Sequence, residues 1–250
     1  MMGAGNAGWA QAAVRLRAMS AWTWAKAHPS AVLLYTQLLG ILLYPFLEGP
    51  GDEVGTLVLS VFGMLVMALA LAVVRATPSL TWVGVLIGVP AVVLTFVDVF
   101  TDAPAWHLTS DIFHAVFYAY TFVALLRYMF ADEQVTTDEL YAIGATFTIG
   151  IWLFAYVYSI CQSLVPGSFT AALDPGAPRT WFELLFLSCT TMTSTGLSDV
   201  VPIKPHARSL VMIQQIAGML YLAIVVARVV GLTLNRRRAL EADQSLSPKL

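Results

Sequence analysis

Residues 180–205 read TWFELLFLSCTTMTSTGLSDVVPIKP: a half-length apolar helix, a run of threonines and serines around one glycine, then an aspartate and a proline. The apolar part, 180–193, lies between Pro178 and Gly196. At about 1.5 Å per residue it is too short to cross a hydrocarbon layer of about 30 Å. Non-helical backbone at membrane depth survives only where protein or a water-filled cavity surrounds it, because each unsatisfied polar group costs several kcal/mol. Four copies around an axis meet that condition, with carbonyl oxygens replacing the water shell of a dehydrated cation. The carboxyl end of the short helix then lends partial negative charge to the axis. Thr193, Ser194 and Thr195 bring small hydroxyls to the ion or brace the turn from behind.

The remaining sequence predicts the helices that surround this stretch. Of 250 residues, 58% are hydrophobic and 11% charged, more apolar than a soluble domain requires. Apolar runs at 31–47, 54–74, 80–101, 110–130, 139–165 and 207–232 predict an all-helical fold with six crossings. They lack period-two alternation, which sets a membrane β-barrel aside. Pro45 is expected to end the first crossing and Pro90 to kink the third. Residues 9–27, with Trp9, Ala13 and Leu16 at helical spacing among Arg15, Arg17 and Lys26, suit a short interfacial helix. Residues 1–27 show no apolar core followed by a cleavage site, so no removed signal peptide is expected. Arg15, Arg17, Lys26, Arg75, Arg127 and Arg236, Arg237 and Arg238 fall on one side of six crossings, predicting a multi-pass cell-membrane protein with both termini cytoplasmic. The net charge of -2 implies no nucleic-acid partner. Cys161 and Cys189, both in apolar helical stretches, predict neither a disulfide framework nor a metal cluster.

Thr191-Met192-Thr193-Ser194-Thr195-Gly196-Leu197-Ser198-Asp199 resembles the potassium-channel signature T-M-T-T-V-G-Y-G-D, with Val201-Pro202 following as in that family. Ala207-Arg208-Ser209-Leu210, Gly218, Tyr221-Leu222-Ala223 and residues 227–232 are similar to the inner helix of bacterial ion-channel-domain proteins. Pro166-Gly167-Ser168-Phe169 and the helix at 139–165 extend the resemblance over roughly the last two-fifths of the chain. It implies a homotetramer of six-helix subunits divided into an interfacial helix (1–29), a four-helix peripheral domain (30–132), a pore domain (133–233) and a short cytoplasmic tail (234–250). It also implies K+ at Ser194, Thr195, Gly196 and Leu197, a filter that includes Thr193 and Ser198, Asp199 at the outer mouth and Gly218 as a gating hinge.

TSTGLSD stands here in place of TTVGYGD, so Leu197 replaces tyrosine and Ser198 replaces the second filter glycine. If left-handed backbone is needed at Ser198, serine costs about 1–2 kcal/mol there. The single-glycine run S-T-G-L-S is also similar to one repeat of the Trk and Ktr potassium-translocating proteins, which carry four unequal repeats in one chain. This chain has one such run, so four copies must assemble.

Other polar residues admit two readings each. Asp199 either attracts cations or ties the filter to its helix, and Glu183 complements the dipole of the short helix. Gly218 hinges the last helix or packs closely, and Ala223, Ala227 and Gly231 form a small-residue seam. One of Gln214 and Gln215 faces the cavity or the back of the short helix. Asp98, Asp102, His107, Asp111 and His114 are solvated interface residues, or His107 and His114 among them form a pH-sensing pair. The fourth crossing carries only Arg127, and one charge gains about 2.3 kcal/mol per 100 mV, so strong voltage gating is not expected. Fewer than twenty residues follow Leu232 here, so a folded regulatory domain is not expected among them.

The expected function is passive conduction of monovalent cations, K+ foremost, with no cofactor and with further copies of the chain and membrane lipids as partners. Alternatives are a non-selective or Na+-permeable channel, or a channel-derived coupled transporter or auxiliary subunit. No G-x-S-x-G or H-E-x-x-H motif points to an enzyme.

Overall fold

A computed structural model describes residues 21–47, 53–75, 81–100, 104–131 and 136–246. Residues 9–20 of the expected interfacial helix, with Arg15 and Arg17, lie outside these, as does Asp102. Helix α1 (Ala21–Ala27) leads into α2 (Pro29–Leu47), α3 (Glu53–Arg75), α4 (Thr81–Phe100) and α5 (Pro104–Met129). Then come α6 (Thr137–Leu164), strand β1 (Phe169–Thr170), the short helix α7 (Trp181–Met192), strand β2 (Val201–Pro202) and α8 (Pro205–Leu246). Helices α2, α5 and α8 each begin on a proline, whose fixed φ and missing N–H suit the first helical position.

Among the described residues, five helices are long and apolar enough to cross a membrane: α2, α3, α5, α6 and the first part of α8. Helix α4 is 20 residues long, but its apolar part, Thr81–Val97, is shorter than the other five. Helix α2 ends at Leu47, two residues past Pro45, near where the proline is expected to end it; a proline in the last turn removes one N–H and leaves most of the ladder intact. Pro90 sits inside α4, which is helical on both sides of it. Helix α8 does not stop near 232 but continues to Leu246, 42 residues or about 63 Å at 1.5 Å per residue.

Helix α2 packs on α3 and α6, α3 on α4, α4 on α5, α5 on α6, and α6 on both α7 and α8. One apolar core joins Leu33 of α2, Val66 of α3, Phe117 and Tyr118 of α5, Ile149 and Trp152 of α6, and Leu185 and Met192 of α7. Helix α6 is therefore the wall shared by the first helices and by the α7–α8 region. A second core gathers Tyr158, Phe169, Leu184, Leu187, Val200 and Val211 around the short helix. At the start of α6, Thr136 and Glu139 form a reciprocal capping box, and Asp138 accepts the Ser30 hydroxyl (2.8 Å) and amide (3.1 Å). That pair fixes α2 against α6.

Candidate functional site

The amino end of α7 is built from charge and caps. The Thr180 hydroxyl accepts the Glu183 N–H (3.2 Å), and the Glu183 carboxylate accepts the Thr180 N–H (2.7 Å). Glu183 also meets Arg179 at 3.3 Å. Arg179 is buried, and its guanidinium donates to the carbonyls of Leu173, Asp174 and Ala177. Its backbone pairs with the Gln162 side chain in both directions, at 2.8 and 2.9 Å. The loop before α7 is thus tied to α6 at one end. At its other end, β1 and β2 pair antiparallel, Phe169 opposite Pro202, and Lys204 Nζ donates to the Pro166 carbonyl at 2.8 Å.

The carboxyl end of α7 turns abruptly. The N–H of Thr193 donates to Cys189, that of Ser194 to Thr191, and those of Thr195 and Gly196 to Thr190. Four consecutive amides thus point back into the helix. In a trans peptide the carbonyl points opposite to the N–H that follows it, so the carbonyls of Thr193, Ser194 and Thr195 point away from α7. Among the described residues, no donor reaches the carbonyls of Thr193 through Leu197. The Thr193 hydroxyl donates to the Cys189 carbonyl (2.8 Å) and the Thr195 hydroxyl to the Thr190 carbonyl (3.2 Å), bracing the turn from behind. The Ser194 hydroxyl makes no hydrogen bond among the described residues. The helix-end carbonyls are occupied by these donors, which leaves the bend's own carbonyls as the outward-facing oxygens.

Backbone conformation corrects one expectation. Ser194 (φ 60) and Gly196 (φ 66) are left-handed, whereas Ser198 is not. The serine penalty of about 1–2 kcal/mol therefore falls on Ser194. Ser198 instead uses its hydroxyl to accept the Val200 N–H at 3.1 Å, closing the segment onto the β2 strand. Ser194, Thr195, Gly196 and Leu197 are exposed, Leu197 by 77%, and Thr193 and Ser198 are half-buried. Asp199 is exposed and makes no hydrogen bond or ion pair among the described residues, so the tie to the helix is not formed within the chain.

Behind the bend lies a buried polar chain that ties three helices together. The Tyr158 hydroxyl of α6 donates to Gln214 Oε1 of α8. Gln214 Nε2 donates to the Ser188 carbonyl (3.0 Å) and hydroxyl (2.7 Å) of α7, and the Ser188 hydroxyl donates to the Ile151 carbonyl of α6 (2.7 Å). Tyr158, Ser188 and Gln214 are fully buried. Gln214 is thus the glutamine behind the short helix, and Gln215 is exposed. Gly218, one turn on, faces the last residue of α7: a Cβ there would collide with the Met192 carbonyl oxygen and lie 3.1 Å from its carbon. Close packing against α7 accounts for the missing side chain at this position.

Ala223, Ala227 and Gly231 are exposed, and a Cβ at Gly231 would meet nothing within 4 Å, so their seam faces outward from the chain. His114 is buried, not solvated: Nδ1 lies 2.8 Å from the Ser110 carbonyl and Nε2 3.3 Å from the Thr95 hydroxyl. Sequence reasoning missed Arg179, Gln162, Tyr158 and Ser188. One signal was available for Gln214: it falls in the series Ala207, Val211, Gln214, Gly218, Tyr221, Val225, spaced four and three, which is the buried face of α8.

The family described as "Ion channel" matches residues 146–234, from the middle of α6 through the spanning part of α8. No curated protein and no solved structure matches the chain. The family match supports an ion channel, not an enzyme, and the apolar helices support a multi-pass membrane protein. It also supports oligomeric assembly.

Proposed function

We propose, for a chain whose residues 146–234 match the ion-channel family, that four copies form a pore conducting monovalent cations passively, with K+ preferred. The carbonyls of Ser194, Thr195, Gly196 and Leu197 from each copy replace the hydration shell of K+, with Thr193 and Ser198 completing the filter and Asp199 concentrating cations at the outer mouth. The observation that carries this reading is the bend itself: four amides turned back into α7, the carbonyls of Thr193, Ser194 and Thr195 turned away from it, and no donor among the described residues on those of Thr193 through Leu197. Left alone in a bilayer, those oxygens would cost several kcal/mol each. A shared axis with a dehydrated cation removes that cost.

In this reading α4 supplies a sixth crossing, its 20 residues spanning about 30 Å. Residues 133–233 form the pore domain around a four-helix periphery, both termini face the cytoplasm of a cell membrane, and lipid covers the exposed leucines and valines. No cofactor is required beyond the permeant ion. Exposed Leu197 and the lack of left-handed backbone at Ser198 favour one second reading, a pore with fewer dehydrated sites that also passes Na+.

The test is flux from K+-loaded liposomes containing the purified protein, with reversal potentials in mixed K+ and Na+. Passive K+ flux with a reversal potential displaced toward the K+ equilibrium supports the proposal. Equal permeabilities favour the second reading, and no flux across pH and voltage, or a monomer in the bilayer, overturns both.

A further inference from the structure

Helices α2 to α6 and the first turns of α7 line a cavity of about 490 Å³, to which no described residue of α8 contributes. It lies at the end of the bundle where α2, α4 and α6 finish and α3, α5 and α7 begin, lined there by Tyr44, Thr95, Ser163, Ser60, His107 and Trp181. Its volume is that of a small-molecule pocket, typically about 300–1,000 Å³.

The lining has a particular chemistry. Rings form a continuous wall, with Trp181 centred 5.7 Å from Tyr44, 5.4 Å from Tyr156 and 5.4 Å from Trp152. Among the described residues, no lysine or arginine lines the cavity, and the one carboxylate, Asp111, is held by the Ser159 hydroxyl at 2.6 Å. His107 and His114 are the other titratable groups. Both nitrogens of His114 are engaged, and its ring stacks on Tyr156 at 4.8 Å. The indole N–H groups of Trp152 and Trp181 are buried and find no acceptor among the described residues, and Trp152 is only 5% exposed.

We propose that this cavity binds a small organic ammonium ion with an aromatic or alkyl body and a hydrogen-bond-accepting oxygen. A carboxylate among π faces in a low-dielectric pocket attracts a cation and repels an anion. The unpartnered indoles match an acceptor on the same molecule. Among the described residues, no group of three ligating side chains is present to hold a metal ion instead. Trp181 and Leu185 line the cavity from α7, so an occupant rests against the helix that carries the bend. Binding is independent of whether the chain conducts.

The test is equilibrium binding of phenylethanolamine to the full chain in phosphatidylglycerol nanodiscs, beside its neutral and anionic counterparts, phenylethylene glycol and mandelate. Asp111→Asn removes the charge. Gly63→Leu fills the cavity from α3, at a position where a Cβ meets nothing within 4 Å, so the variant is expected to fold. Expected are saturable binding of the amine, counterparts at least about tenfold weaker, and at least about a tenfold loss in each variant. Repeating the measurement in phosphatidylethanolamine assigns the source: displaced probe means a lipid ammonium occupies the cavity, retained probe means a free amine. No saturable amine binding, binding indifferent to charge, or binding unchanged in Gly63→Leu overturns the proposal.

Discussion

Replacing Gln214 by leucine cuts the buried chain that joins α6, α7 and α8 at its centre. The side chain loses two hydrogen bonds to Ser188, at 3.0 and 2.7 Å, and takes from the fully buried Tyr158 hydroxyl its Gln214 acceptor. Two net hydrogen bonds at about 0.5–1.5 kcal/mol each, plus about 1–3 kcal/mol for the hydroxyl that loses its acceptor, give a cost of about 1–4 kcal/mol once about 1–2 kcal/mol of added apolar burial is set against it. Tyr158→Phe orphans only Gln214 Oε1 and costs about 1–3 kcal/mol. The double variant has no orphan on either side, so it is expected to cost less than the sum of the singles by about 1–2 kcal/mol. Thermal unfolding of the detergent-solubilised protein reads this directly, at about 2–4 °C per kcal/mol for a chain of this size. Additive effects, or single variants each within about 0.5 kcal/mol of wild type, would falsify the claim that this chain clamps the short helix.

Two further substitutions test the bend. Gly218→Ala drives a Cβ into the Met192 carbonyl and is expected to destabilise by about 1–3 kcal/mol and impair ion flux, whereas Gly231→Ala, in open space, gains about 0.8–1 kcal/mol of helix propensity; the two unfolding curves moving in the same direction would contradict the packing argument. Ser198→Gly relieves no left-handed strain and removes the acceptor of the Val200 N–H, so it is expected to lose about 0.5–1.5 kcal/mol and leave K+ preference no higher, as reversal potentials will read.

Much of this architecture is legible from one chain because lipid imposes a strong length rule. The apolar runs at 54–74 and 139–165 match α3 and α6 to within two residues, and the half-length run before the Thr/Ser cluster is α7. The position of the bend also follows from composition, since a glycine among hydroxyl residues cannot continue an apolar helix. What composition does not carry is which neighbour each polar group meets. Gln214 and Gln215 are identical as letters, and only the azimuth set by Val211 and Gly218 sends one inward. Ser198 looked strained because a glycine precedent was placed on it, yet the left-handed serine is four residues earlier. His114 reads as a loop-proximal polar residue, and its burial depends on α4 and α6 packing over it.

The contact between Gly218 and Met192 is one of a row that holds the first half of α8: Gln214 is bonded to Ser188, Tyr221 to the Ile143 carbonyl, and Val225 and Val229 pack beside Met129. Helix α8 runs unbroken beyond that row to Leu246, residues 230–246 adding about 25 Å at 1.5 Å per residue. A load on that end is therefore met as a cantilever meets it at its wall, by the whole row of contacts rather than by one joint.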